Sequence, residues 1–215
     1  MSGLFFFQLF EQPWAYVAWV LVVTFSICVH EFAHAWAGAQ LGDDTAAAAG
    51  HLSLDPRVQM GPRSIAMLLI FGLAWGAAPF SPRRLGRGAR TLVAVSGSAA
   101  NLLLAALFAA ACAAAVHWGR PMRIEGAPAL LALAARANAT LAIFNLLPLP
   151  PLDGWSAVEE ALPPLASVRL RWGPTFSLAA LAILFLTPLF GLVWRAGDAM
   201  AAAAVAGWLR LLSAV

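Results

Sequence analysis

Charge is what this sequence has least of. Of its 215 residues only 11% are Asp, Glu, Lys or Arg, against 62% hydrophobic, and the mean hydropathy is +0.81. A soluble domain carries about 25% charge, so a water-facing exterior cannot be assembled here and most of the chain must face lipid. Lysine is absent, and all 13 basic residues are arginine. They are dispersed or lie between apolar runs, which excludes the dense basic face a nucleic-acid partner needs and leaves them as orientation signals beside membrane spans. Cysteine is scarce too: Cys28 and Cys112 each sit inside an apolar stretch, far from a disulfide framework, and read as small reduced hydrophobes. The amino terminus, MSGLFFFQLFEQPW, lacks a basic n-region and contains Glu11, so a retained first helix is expected rather than a cleaved signal peptide.

What is present is a series of apolar runs. Pro13 suits the first turn of a helix, and residues 14–41 run apolar to a glycine stop in LGDD, enough for the roughly 20 residues a bilayer crossing needs. Residues 91–117 make a second span, ending in HWGRPMRIEG. Residues 128–147 make a third, with Arg136 and Asn138 near its start, where an arginine can snorkel to the headgroups. The prolines of NLLPLPPLDG end that helix. A further span is expected over 174–194 and a short apolar tail helix over 199–214.

Two stretches are less regular. Between Asp43 and Arg63, the alternation in HLSL before a proline predicts a short strand or two near the membrane face. Residues 64–80 are apolar but interrupted by Gly72, Gly76 and Pro79, and read as a full crossing or a re-entrant hairpin. The expected fold is all-α and polytopic, with about 4–6 transmembrane or re-entrant helices and a short β element near residues 46–60. One integral membrane domain covers 1–215, with its core at about 14–160 and additional helices over 173–214.

The first span contains His30-Glu31-Phe32-Ala33-His34, an HExxH pattern. Residues four apart share a helical face, so both imidazoles can bind one Zn²⁺ while Glu31 is set to take a proton from water at the metal. An ionisable group in mid-span costs roughly 3 kcal/mol on insertion scales, and three within five positions have no stability rationale. A catalytic zinc site normally takes three protein ligands and leaves one position open. Asp153, after the prolines in PPLDG, is the candidate third ligand. Read alone, Asp-Gly is a turn dipeptide; the apolar helix before it and the scarcity of carboxylates near a span favour a ligand.

HEFAHAWAGAQLGDDTA, SGSAANLLLA and FNLLPLPPLDGW, in this order, resemble the site-2 protease family of intramembrane zinc metalloproteases in its short bacterial form without a PDZ domain. The resemblance covers roughly residues 20–160. It implies one Zn²⁺ per chain, His30, His34 and Asp153 as its ligands, and Glu31 as the catalytic carboxylate. It also implies that Asn145, in the NxxPxxPLDG pattern, lies near the site, and that Asn101 ends a motif on the central core helix. From the residues alone, Asn101 fits helix–helix glue as well as a site role. His51 and His117 lie at segment edges and read as solvated.

Ligands from two spans must reach one depth. The first span and the helix at 128–147 must therefore run in the same direction, with one complete crossing between them, which favours a re-entrant 64–80. Arg57, Arg63, Arg83, Arg84, Arg87 and Arg90 then share one side, the cytoplasmic one by the positive-inside rule. The expected protein is an intramembrane zinc endopeptidase of a bacterial inner membrane, its site toward the cytoplasm and its partners the lipid bilayer and a membrane-protein substrate with a transmembrane segment. Asn145 is expected to bind substrate backbone or the developing oxyanion. The alternative is a non-catalytic protein of the same architecture that binds metal or grips substrates. A metal transporter fits less well, since the spans carry almost no acidic residues besides Glu31.

Overall fold

The computed structural model describes residues 5–76, 78–81, 84–86, 88–122 and 126–214, and these form helices joined by short irregular segments. We number the longer helices α1 (Pro13–Gln40), α2 (Gly61–Phe71), α3 (Ala89–Met122), α4 (Ala127–Asn145), α5 (Gly154–Ala161), α6 (Pro164–Leu186) and α7 (Pro188–Ser213). Four of them, α1, α3, α4 and α7, are long and apolar enough to cross a membrane. Large side chains point outward from them, Trp14 being 85% exposed and Leu21 63%. Such a surface is stable against lipid and not against water.

Helices α1, α3 and α4 form the core. Along α1 the residues Ser26, His30 and His34 meet Asn101 and Val93 of α3 in reverse order, so these two helices are antiparallel. Ser26 also meets Asn138 of α4, and the chain beyond α4 returns to His30 and His34. Helices α1 and α4 therefore run the same way with one crossing between them, as the ligand argument requires. Behind them Ala105 and Ala109 of α3, Ala135 and Ala139 of α4 and Ala201 of α7 pack as a seam. Small side chains let helix backbones approach in lipid, where no hydrophobic drive separates helix from solvent.

Among its described residues, the 64–80 stretch has no helix long enough to cross a membrane, and it folds back beside α2. Helix α2 has 11 residues, about 16 Å of rise, half of a hydrocarbon core. Two α1 side chains hold its exposed end: Tyr16 Oη donates to Leu69 O and Trp19 Nε1 to Gly72 O, each at 2.9 Å, which satisfies carbonyls a helix end leaves orphaned. The chain then comes back without helix. Ser64 Oγ bonds both the N–H and the carbonyl of Trp75, Ala78 N–H reaches Glu31, and Ser81 N–H reaches Asp43.

Four expectations need correction. No strand occurs near residues 46–60 or elsewhere among the described residues; helical turns Thr45–Ala48 and Pro56–Gln59 occupy that region. The alternation in HLSL is real, since Leu52 and Leu54 both face outward, but a strand needs ladder partners. Gln59 Nε2 takes the carbonyls of His51 and Ser53 instead, and Asp55 caps the Pro56 turn. His51 is not solvated: it is buried and its Nδ1 bonds Gln59 Oε1 at 2.8 Å. The span expected over 174–194 is broken at Thr187, which is extended (φ −112°, ψ 165°) because proline disfavours helical geometry before it. Pro188 starts the long helix α7 instead.

Arg136 differs as well. It lies in the middle of α4 and, rather than snorkelling, forms a two-pronged ion pair with Asp198 of α7, at 2.6 and 3.0 Å. Arg83 and Arg87 of the basic patch lie outside the described residues.

Candidate metal centre

His30 and His34 sit one turn apart on the buried face of α1, their Nε2 atoms 3.0 Å from each other. Asp153 reaches them from beyond α4. Its Oδ2 lies 3.0 Å from His30 Nε2 and 3.2 Å from His34 Nε2. It occupies the N-cap position of α5, yet its carboxylate makes no capping bond and turns to the imidazoles instead. Gly154 explains the closeness of that approach: a Cβ there would stand 2.3 Å from Leu146 O, so only glycine lets α5 begin against the end of α4.

The donor set fits a metal ion. His34 Nδ1 faces Val93 O at 2.7 Å, and a backbone carbonyl only accepts, so Nδ1 carries the hydrogen and Nε2 a lone pair. His30 Nδ1 is bonded to Asn101 Oδ1 at 2.6 Å with the same consequence. With both imidazoles neutral, three lone-pair atoms therefore converge, and Asp153 Oδ2 is buried without a hydrogen-bond donor. Such a trio is repulsive unless a cation is shared. Two imidazole nitrogens and one carboxylate oxygen suit Zn²⁺, whose bonds of about 2.0–2.2 Å would set tetrahedral ligands roughly 3.3 Å apart.

Glu31 joins the cluster from the next position on α1. One of its carboxylate oxygens and the two imidazoles' ligand atoms all lie within 4.8 Å of one another. Its Oε2 accepts from Ala78 N–H at 3.0 Å, so the returning segment aims the carboxylate. Two glycines make room. A Cβ on Gly97 of α3 would stand 2.5 Å from His34 Nε2 and 2.6 Å from His30, and one on Gly76 would overlap Glu31 Oε1 at 1.7 Å. Glu31, His34 and Asp153 line a cavity of about 230 Å³, with Ala78 and Phe80 on one wall and Arg90 on another.

Of the sequence-predicted residues, the structure brings together His30, Glu31, His34 and Asp153. Asn145 stands apart from the cavity lining, its Nδ2 donating to Leu141 O in its own helix. Asn101 is both glue and site neighbour, since its Oδ1 bonds His30 and its Nδ2 bonds Asn138. Sequence reasoning missed Asn138, Ser26 and Asp43. A carboxamide in an apolar span is a readable signal for Asn138. Nothing in the sequence announces Asp43, whose buried carboxylate accepts from the N–H of Ser81 and from Thr45.

These features define a helical integral membrane protein with a candidate histidine–carboxylate metal site. The chain matches no family model and no solved structure. It is 30% identical over 195 residues to the Bacillus subtilis protein named "Putative zinc metalloprotease YwhC", covering 88% of this chain and 87% of that one. It is 34% identical over 205 residues to the Mycobacterium tuberculosis protein named "Putative zinc metalloprotease Rip2", covering 85% of this chain and 75% of that one. The Mycolicibacterium smegmatis protein of the same name is 28% identical over 194 residues, covering 82% and 71%. The chain belongs to the site-2 protease family of zinc metalloproteases.

Proposed function

We propose that this protein is an intramembrane zinc endopeptidase that cleaves peptide bonds within or near the transmembrane segment of a membrane-protein substrate. The convergence of His30 Nε2, His34 Nε2 and Asp153 Oδ2 beside Glu31, in a cavity flanked by a spanning helix, carries the reading. His30, His34 and Asp153 would hold the ion. Zinc supplies Lewis acidity toward a carbonyl and activation of water near neutral pH.

The chain's own residues do the rest. Glu31 accepts the proton of the attacking water and passes it to the leaving amide nitrogen, and the Ala78 N–H bond to Oε2 keeps its carboxylate aimed at the cavity. Asn145, bonded to Leu141 O outside the cavity lining, would have to turn to bind substrate backbone or the developing oxyanion. A helix keeps its amides hydrogen-bonded within its own backbone, so a substrate helix unwinds before its amides reach Glu31. Arg57, Arg63 and Arg84 lie between the carboxyl end of α1 and the start of α3, and Arg90 lies in the first turn of α3, which supports a cytoplasmic site in a bacterial inner membrane.

The test is Glu31→Gln beside Asp153→Ala in purified full-length protein. Glu31→Gln is expected to keep one zinc per chain and lose cleavage of a single-span substrate by more than 10³-fold; Asp153→Ala is expected to lose zinc. Cleavage retained by Glu31→Gln would favour the alternative, a protein that binds metal without using this carboxylate.

A further inference from the structure

Four polar side chains from three helices form one hydrogen-bonded chain inside the bundle, and its direction can be read from its ends. Ser26 Oγ donates to Val22 O at 2.7 Å, because a backbone carbonyl can only accept. Its lone pair then accepts from Asn138 Nδ2 at 2.9 Å, and the same Nδ2 donates to Ala134 O at 2.9 Å. Two acceptors therefore fix which end of the Asn138 amide is nitrogen. The other end, Oδ1, accepts from Asn101 Nδ2 at 2.8 Å, and that nitrogen also faces Ser26 O at 3.3 Å. Asn101 must present Oδ1 to His30 Nδ1, at 2.6 Å. Ser26, Asn101 and Asn138 are fully buried, with no exposed surface, so water cannot substitute for any link.

We infer that Asn138 and Ser26 are positioning residues that set the tautomer of His30. Through Asn101 they hold the hydrogen on Nδ1 and the lone pair on Nε2. The inference rests on the metal site proposed above. If the Asn101 amide turned over, its NH₂ would face Nδ1, the ring hydrogen would move to Nε2, and that nitrogen could no longer act as a ligand. Asn138 prevents this because a turned Asn101 would point its oxygen at Asn138 Oδ1 and at Ser26 O, acceptor against acceptor in a dry interior. His34 needs no such chain, since Val93 O is a backbone acceptor that cannot turn. The two ligands are thus oriented by different means, and only one of them is sensitive to a residue on α4.

The test uses the full-length protein in detergent, ¹⁵N-labelled at its four histidines, with imidazole nitrogen shifts read in the metal-free state and zinc affinity measured by chelator competition. In wild type, at a pH alkaline enough for both imidazoles to be neutral, His30 and His34 are each expected as the single Nδ1–H tautomer. Asn138→Ala is expected to give His30 a mixture of tautomers, leave His34 unchanged, and weaken zinc about 10-fold, as loss of groups behind a ligand does. Ser26→Ala, which removes one of the two acceptors fixing Asn138, is expected to act in the same direction more weakly. A single Nδ1–H tautomer at His30 with wild-type zinc affinity in Asn138→Ala overturns the inference. Should that variant not fold, the same result in Ser26→Ala overturns it. A wild type that binds no zinc defeats the metalloprotease reading instead, while the tautomer comparison still decides this one.

Discussion

Two helix contacts in this protein share a plan, a glycine on one helix facing polar side chains on its neighbour, and they serve opposite ends. At α1–α3 the glycine is Gly97, and the groups it admits are His30 and His34. At α4–α7 it is Gly197, where a Cβ would stand 2.1 Å from Thr140 Oγ1 and 2.9 Å from Thr140 backbone atoms. Beside the first lies a neutral, fully buried carboxamide network; beside the second lies the Arg136–Asp198 ion pair, with side chains 45% and 34% exposed. The ion pair is satisfied within itself, while Thr140 Oγ1 beside Gly197 is buried without a hydrogen-bond partner. The first contact leaves three lone pairs turned toward one point, which only a cation relieves. Close helix approach thus accompanies a self-contained ion pair at one contact and a convergence of lone pairs, the candidate metal site, at the other.

Substitutions at the two contacts sharpen the comparison. Gly97→Ala drives a methyl group between both imidazoles, and zinc content of the purified protein is expected to fall below one tenth of wild type. Overpacking adds a stability loss of about 1–3 kcal/mol by thermal unfolding in detergent. Gly197→Ala is expected to cost a similar 1–3 kcal/mol while the folded fraction keeps wild-type zinc affinity; a matching zinc loss would erase the distinction between the two contacts. Gly76→Ala displaces Glu31 but no proposed ligand, so cleavage is expected to drop about 10²-fold with zinc retained, the scale of a misplaced catalytic group.

The remaining tests concern the ion pair and the loop. Asp198→Ala strands Arg136 in the span and is expected to destabilise by about 3 kcal/mol, whereas Arg136→Leu with Asp198→Leu is expected to fall within about 1 kcal/mol of wild type. A double variant as damaged as the single one would mean that the pair does more than hold α7. Asp43, beyond the end of α1, makes the mildest case. Burial pushes its carboxyl up, but the bonds from Thr45 and from Ser81 N–H outweigh that and hold it below the usual carboxylate range. Its folded value is depressed, so its contribution is complete above the unfolded value of about 3.9 and disappears as pH falls through the lower folded value. Asp43→Asn is expected to remove that acid-side loss from a stability-against-pH curve and leave the curve between pH 6 and 8 nearly parallel to wild type.

The sequence by itself determined the lipid-facing class, the spans α1, α3 and α4 to within a few residues, and the grouping of His30, Glu31 and His34 on one helix, whereas Asp153 was a candidate that the family resemblance singled out. These follow from local quantities, namely the length of an apolar run, the 3.6-residue period that stacks residues four apart, and the cost of an ionisable group in lipid. The break at Thr187–Pro188 was legible by the same rule but was outweighed by the apolar run across it. Only the tertiary structure decided the rest. HLSL alternates as a strand does, yet whether it becomes one depends on a neighbour to pair with, and Gln59 takes its carbonyls instead. The aim of Glu31 comes from a backbone N–H 47 positions away, and the hydrogen on His34 from a backbone carbonyl 59 positions away. Backbone donors and acceptors are the same at every non-proline residue, so no sequence pattern can mark which of them a fold will bring to a side chain.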